Sequence, residues 1–428
     1  MEKKRFAIAG VGVRGLCFAK AITRQFAHAA ELVALYDLNR LRMQGFRELL
    51  ACEVPSFTDF GTMAREARPT HLIITTPDYT HDELIALAFQ AGMEVVCEKP
   101  LATEAAKLRR ILQLEQAFGR RVVVAFNYRY MPYHTFIKSV MQDNRLGTIH
   151  SVNLGWMLDH VHGQEYFRRW HAHMARSGGL LVHKASHHFD LVNWFIDDVP
   201  EEIFAWGDLR VYGGKGPFRG ERCRTCQHAE RCPAAMKTHL QEDAVEIFEK
   251  LYWQAESEDR YVRDRCVFRP DIDIYDTMNV MVRYRQGACL NYALNAYSPL
   301  AGYRLDITGA RGRIEASQEH SGTAMLSERG QDAVQIMTGT NRGDQKCDTI
   351  TMERDLSEHG GGDVRMYRQL FEGAGDDPQH CAADSRAGVM SCIVGIAANA
   401  SIRAGRPVRV SEVLGEEEET GGGLRARS

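Results

Sequence analysis

The sequence predicts an α/β chain that opens with a doubly wound parallel sheet and continues into an α+β domain built on a largely antiparallel, open sheet. Three observations carry that prediction. Short apolar runs alternate with helical patterns up to about residue 128. A glycine-rich turn separates the first such run from the first helix. From about Ser151 the pattern changes to longer strands, Ile203–Leu209, Thr277–Arg285, Ala288–Ala296 and Arg304–Thr308, which follow one another as hairpins do.

In the first region, residues 5–9 form an apolar strand, Gly10-Val11-Gly12-Val13-Arg14-Gly15 opens a helix running to about Arg24, and a second strand, 31–36, ends at Asp37. Glycines permit the tight turn and close backbone approach, a helix N-terminus attracts pyrophosphate, and an acid about 20 residues on binds ribose hydroxyls. Strand, glycines, helix, strand and acid in that order predict a dinucleotide site. Asp37 favours NAD by repelling a 2′-phosphate, while Arg40 leaves NADP open. Further strands are expected at 71–76, 93–98 and 121–126, with helices at 82–91 and 104–118 between them. Helices are also expected at 363–371 and around 388–404. The resulting division is 1–128 for the dinucleotide-binding domain, 129–412 for a substrate and oligomerisation domain with a cysteine-containing insertion at about 213–270, and a disordered tail at 413–428.

Composition bounds the function. The 428 residues are 44% hydrophobic and 25% charged with a net charge of −3, an ordinary globular balance without the basic footprint of a nucleic-acid binder. Phe6-Ala7-Ile8-Ala9 is too short for a signal-peptide core, and no apolar stretch approaches membrane-spanning length. Eleven cysteines without a secretory signal are therefore expected as reduced thiols in a cytoplasmic protein.

Five motifs stand in order: Gly10-Val11-Gly12-Val13-Arg14-Gly15; Thr76-Pro77 followed by His81; Glu98-Lys99-Pro100 at a strand end; Asn127-Tyr128-Arg129-Tyr130-Met131-Pro132; and Ser177-Gly178-Gly179-Leu180-Leu181 leading to His187 and Asp190. On these motifs the chain resembles the Gfo/Idh/MocA oxidoreductases, which typically pass hydride from a sugar or polyol hydroxyl to a nicotinamide. The resemblance implies a Rossmann first domain, a sugar-like substrate, a homodimer or homotetramer, and cofactor contacts from Gly10, Gly12, Val13, Arg14, Gly15, Asp37, Arg40, Thr76, Pro77, His81, Glu98, Lys99 and Asn127. It also implies that Lys99 contacts the reacting hydroxyl and that His187 is the general acid/base. The chemistry is compatible, because histidine titrates near neutrality and a lysine stabilises a developing alkoxide.

One departure is notable. Family members usually carry aspartate four residues before the catalytic histidine, and this chain carries His183 there. His183 shares the helix face of His187 but supplies no fixed negative charge, so Lys184 or a substrate carboxylate could compensate. Two histidines at that spacing could also hold a catalytic zinc. Arg129, Tyr130, Arg168, Arg169, Trp170, His171, His173 and His359 complete the candidate substrate contacts, supplying hydrogen bonds and an aromatic face to a hydroxyl-rich ring.

A second constellation is Cys223-Arg224-Thr225-Cys226, Cys232 and the distant Cys266. Thiolates at C-x₂-C spacing chelate one ion from a tight turn, so structural zinc is the favoured expectation, with an iron–sulfur cluster and free thiols as alternatives. Three functional classes remain: an NAD(H)-dependent dehydrogenase acting on a secondary hydroxyl, a glycosidase or lyase that oxidises its sugar transiently with bound NAD, and a nicotinamide-binding regulator without turnover.

Overall fold

The computed structural model describes residues 3–236, 242–321, 331–341, 343–355, 357–373 and 375–415. Two sheets organise them. The first follows the order β3-β2-β1-β4-β5-β6, all parallel, formed by β1 (Lys4–Ala9), β2 (Ala30–Tyr36), β3 (Ser56–Phe57), β4 (His71–Ile74), β5 (Glu94–Cys97) and β6 (Val122–Val124). This is the doubly wound order whose crevice lies beyond the C-terminal strand ends, between β1 and β4. Residues Phe6 to Ala9 and Leu72 to Ile74 have no exposed surface, as expected for parallel strands covered on both faces. A seventh strand, Ala383–Asp384, joins β6 antiparallel from the far end of the chain.

The covering helices include two that the sequence reading did not single out. Arg40–Leu50 is capped by Asn39, whose side chain accepts from the Arg42 amide at 2.8 Å, and Phe60–Ala67 is capped by Asp59. The first helix is shorter than expected: Val13–Lys20 is regular, and Ala21–Gln25 widens into a π turn.

The second sheet has nine strands. Its centre is Ile149–Asp159, which pairs parallel with Cys289–Ser298 and antiparallel with Ala301–Gly309; its other pairings are antiparallel. The expectation of a parallel sheet followed by a largely antiparallel one therefore holds.

Helix Ser385–Ala404 joins the two halves. It is long and apolar enough to cross a membrane, which corrects the reading that no stretch approaches that length, yet it packs against Pro200–Asp208 and Ser186–Ile196 in the core. Its Gly395 faces the Leu181 carbonyl so closely that a Cβ would lie 2.1 Å from the oxygen, and its Asn399 amide donates to the Gly178 carbonyl at 2.6 Å. These contacts seat residues 178–181 against this helix. The chain then ends its described part in helix Val410–Leu414, so residues 413 and 414 are not part of a tail; residues 416–428 lie outside the described residues. The 213–270 insertion contains helices Glu242–Phe248 and Glu256–Asp259 joined through a π turn, Glu249–Trp253.

Candidate active site

The phosphate-binding turn is built as its glycines require. Gly10 has φ +91°, and a Cβ there would lie 2.6 Å from the Thr76 nitrogen; one on Gly15 would lie 2.5 Å from the Gly10 carbonyl. Gly12 is different. A Cβ there would meet only the Tyr252 hydroxyl, at 3.5 Å, so its backbone faces the crevice. Asp37 stands at the end of β2, accepting from the Val11 amide at 3.0 Å and the Asn39 amide at 2.9 Å. The cradle, the helix start at Val13 and the carboxylate together fit a dinucleotide. Arg40 is exposed and touches the insertion through its backbone nitrogen, whereas Arg42 approaches Asp37 at 3.5 Å.

Lys99 follows β5, where the strand end puts it at the crevice. Its Nζ donates to the His183 carbonyl at 3.2 Å. Burial lowers its pKa, and neighbouring Lys184 lowers it further against the pull of Asp78. His81 braces this region: its ring nitrogens lie 3.0 Å from the Pro100 carbonyl and 3.0 Å from the Thr76 carbonyl. It thus ties together the loops after β4 and β5, while Thr76 Oγ1 pairs with Thr80 Oγ1 at 2.7 Å and Pro77 precedes the turn Asp78–Thr80.

His187 lies in the first turns of Ser186–Ile196, its ring stacked on Tyr128 at 4.2 Å and 11°. Burial, then the charges of Lys99 and Lys184, push its pKa well below the ordinary value, and Nδ1 has no hydrogen-bond partner among the described residues. The ring is therefore neutral with a free nitrogen, the state a proton acceptor needs. Lys184 is nearly as buried. Its Nζ donates to the Tyr128 hydroxyl at 3.2 Å and lies over the Tyr128 and Trp156 rings, and burial pushes its pKa down to about 8.

His183 resolves differently from its sequence reading. Its Nδ1 lies 2.5 Å from an oxygen of Asp78, a buried carboxyl on the turn after β4. Burial raises the Asp78 pKa and lowers that of His183, so the two hold one proton between them. The sequence reading passed over Asp78. Its signal was an acid two residues beyond the strand-end Thr76, in a loop that faces the same crevice as Lys99. Next to the pair, His171 is stacked on Trp170 at 3.7 Å and stands 4.2 Å from the His183 ring, with an unpartnered Nδ1. Arg169 donates to the Tyr261 hydroxyl at 2.9 Å and influences both Asp78 and His183 electrostatically.

A second hub is Asp363, in the first turn of helix Gly362–Glu372. Its carboxylate accepts two bonds from Arg14 at 2.9 Å, one from Asn127 at 2.8 Å, and lies 2.8 Å from His359 Nδ1. Burial works to raise it, but the His359 and Arg14 contacts outweigh burial and hold it well below the carboxylate range. Arg14 also pairs with Glu98 at 2.5 Å. The turn after the first strand, the loop after β5 and the helix Gly362–Glu372 are thereby tied together.

Other candidates lie elsewhere. Arg129 makes a bidentate pair with Asp190 at 2.6 and 2.8 Å and is buried beneath Trp194, and Tyr130 is buried beside it near Cys381. Among the described residues, neither makes a hydrogen bond or ion pair with the Lys99 cluster. Arg168 turns toward the cysteines of the insertion, and His173 faces Asp271 at 3.6 Å. No group of three or more His, Cys, Asp or Glu among the described residues is arranged to hold a metal ion as it stands. The expected zinc or iron–sulfur centre at Cys223, Cys226, Cys232 and Cys266, and a His183–His187 zinc site, are thus not found preformed; His183 is committed to Asp78 instead.

Comparison with known proteins agrees with this geometry. Residues 4–126 match the oxidoreductase family's NAD-binding Rossmann fold and residues 138–410 its C-terminal alpha/beta domain. The Bacillus subtilis protein "Putative oxidoreductase YteT" is 33% identical across 96% of this chain and 99% of its own length. Inositol 2-dehydrogenase of Rubrobacter xylanophilus is 29% identical over 48% of this chain and 56% of its own. A levoglucosan dehydrogenase solved with NADH and levoglucosan superposes with a TM-score of 0.67, covering 96% of this chain and 100% of its own at 16% identity, a likeness of fold. With both domains matched, the Rossmann cradle formed and Lys99 at the expected strand end, the chain belongs to the Gfo/Idh/MocA family of NAD-binding oxidoreductases.

Proposed function

We propose that the protein is an NAD(H)-dependent dehydrogenase that oxidises a secondary hydroxyl of a sugar, glycoside or polyol, with His187 and Lys99 at the reacting oxygen. The observation that carries this reading is the buried, neutral His187 with a free Nδ1 in the electrostatic reach of Lys99. Bound NAD⁺ supplies the hydride acceptor, held by the turn Gly10–Gly15 and by Asp37. As the carbon gives up hydride and its oxygen becomes a carbonyl, the hydroxyl proton passes to His187, leaving an imidazolium. Lys99 donates to the same oxygen and stabilises the negative charge that develops on it. The names of the dehydrogenase relatives support the substrate class.

Asp78 supplies the carboxylate that the family usually places on the histidine helix. Coming from the loop after β4, it orients His183 and shares a proton with it beside Lys99. Asp37, approached by Arg42, favours NAD over NADP.

A second reading draws on the Asp78–His183 pair and the unpartnered His171, which give the pocket proton-transfer groups beyond the one that hydroxyl oxidation needs. Such groups suit removal of the acidified proton beside a transient ketone, followed by cleavage of a glycosidic bond. One experiment separates the readings: the purified protein is incubated with NAD⁺ and a panel of polyols, sugars and aryl glycosides. Growth of reduced-nicotinamide absorbance is the expected result. Aglycone release without that absorbance assigns the second reading, and neither signal across the panel removes the first.

A further inference from the structure

The four cysteines of the insertion, separated by up to 43 positions in sequence (223 to 266), line one cavity of about 20 Å³ together with Arg168. None is in a disulfide. A cavity of this size has room for one atom-sized guest. Two short backbone bonds bring the segments together: the Cys223 amide donates to the Asp264 carbonyl at 2.7 Å, and the Cys266 amide donates to the Glu221 carbonyl at 3.0 Å, flanking the Arg222–Arg265 bridge. Cys223 and Cys226 are joined by a turn, with the Cys226 amide donating to the Cys223 carbonyl.

The donors around the sulfurs are those that thiolates require. Cys226 Sγ accepts from the His228 amide at 3.4 Å, Cys266 Sγ from the Phe268 amide at 3.5 Å, and Ala234 provides a backbone hydrogen bond to Cys232. Each of these amides lies two residues after its cysteine. Cys223 Sγ instead accepts from Arg168 Nη1 at 3.0 Å. Arg168 is 1% exposed, and the nearest carboxylate oxygen, on Glu165, is 3.6 Å from it. A buried guanidinium aimed at sulfur compensates a site of negative charge, and four thiolates on a divalent ion leave a net charge of −2.

We propose that Cys223, Cys226, Cys232 and Cys266 bind one zinc ion, which staples the insertion over the dinucleotide crevice. Ion binding draws the four sulfurs from their cavity-lining positions to tetrahedral bonds of about 2.3 Å and releases the thiol protons to solvent. The consequence for the cofactor follows from a chain of ion pairs. Arg222, next to Cys223, bonds Asp264 at 2.5 Å and Glu256 at 2.7 Å, and Arg224 bonds Glu256 at 2.9 Å. Glu256 begins the short helix whose Glu258 accepts from the Arg40 amide and whose Asp259 pairs with Arg42, beside Asp37. On the same strap the Ala255 carbonyl accepts from Asn39, and Tyr252 Oη accepts from the Val13 amide at 3.3 Å, at the helix start where pyrophosphate is expected.

The test uses the full-length protein purified without added metal. Elemental analysis is expected to give one zinc per chain, with loss of zinc in Cys226→Ser and Cys232→Ser. Chelation of the wild-type protein, which does not depend on those variants folding, is expected to weaken NADH binding about tenfold while far-ultraviolet circular dichroism stays unchanged. Iron with visible charge-transfer absorbance, or a folded, metal-free protein whose four thiols react freely, overturns the zinc assignment. Zinc removal that leaves NADH affinity unchanged overturns the coupling to the crevice. Neither readout depends on the substrate, so failure here is distinguishable from failure of the dehydrogenase reading.

Discussion

The two ends of the crevice differ in how completely their charged groups are withdrawn from water. At the Lys99 end, His171, His183, His187, Lys184 and Asp78 are each 9% exposed or less, and burial is the first cause of every pKa shift among them. At the Asp37 end, Arg42 and Asp259 pair with side chains that keep contact with water, and the strap from the insertion lies across them. Desolvation at the first end displaces protonation equilibria, which is what proton transfer at neutral pH requires. The second end offers hydrogen bonds and ion pairs that keep some contact with water. Substitutions at the first should therefore alter turnover and pH dependence, and substitutions at the second should alter affinity and salt dependence.

The largest expected effect follows from removing the groups at the reacting oxygen. Lys99→Met and His187→Ala are each expected to lower kcat by about 10²–10⁴ while NADH affinity, read by fluorescence titration, stays within about twofold of wild type. Asp78→Asn acts through His183, and a smaller loss of about 10–100-fold is expected. An Asp78→Asn rate equal to wild type would leave the carboxylate without a role, and full activity in Lys99→Met would remove the lysine from the chemistry.

The sequence made one end of this comparison more legible than the other. Glycine turn, acid and strand-end lysine are local patterns, fixed by the rise of a strand and the start of a helix, so their placement could be read in order. Long-range partners carry no such signal. Asp78 meets His183 across 105 positions and Arg14 meets Asp363 across 349, and only tertiary packing brings them together. The same reason explains Arg129: two residues after Asn127 in one motif, it turns to Asp190 while Asn127 turns to Asp363. Arg42, not Arg40, approaches Asp37 because the helix starting at residue 40 carries position 42 back over the end of β2, while the side chain of residue 40 points to solvent.

Lys184 gives the comparison a sharper form, because its cost and its use can be separated. Its pKa lies near 8 in the folded protein and near 10.4 when unfolded. As pH falls from 10.4 to 8 the unfolded chain takes up a proton that the folded chain does not, so stability declines across that window and is level below it. The accumulated penalty is roughly 3 kcal/mol. Lys184→Met is accordingly expected to raise the melting temperature at pH 7 by several degrees and to lose the wild type's dependence of stability on pH between 8 and 10. Turnover should fall in the same variant, because one of the two cations that add to burial in lowering the His187 pKa is gone. A melting temperature below wild type would mean that the ammonium is stabilised in place and that burial is not its dominant environment.

The smallest effect is expected at the other end. Arg42 is flanked by Asp37 at 3.5 Å and by Asp259, and its Nε donates to the Leu251 carbonyl at 2.9 Å, so it links the ribose-binding acid to the strap. Partly exposed ion pairs contribute about 0.2–1 kcal/mol each. Arg42→Ala should therefore weaken NADH binding by about two- to tenfold, with kcat at saturating cofactor unchanged. The loss should shrink as ionic strength rises toward 1 M, where the Debye length falls to about 3 Å and wild-type and variant affinities converge. A loss that persists unchanged at high salt would mean that Arg42 acts through the shape of the strap, in which case the Asp37 end shares the buried, packing-dominated character of the Lys99 end and the contrast between them is one of residue type alone.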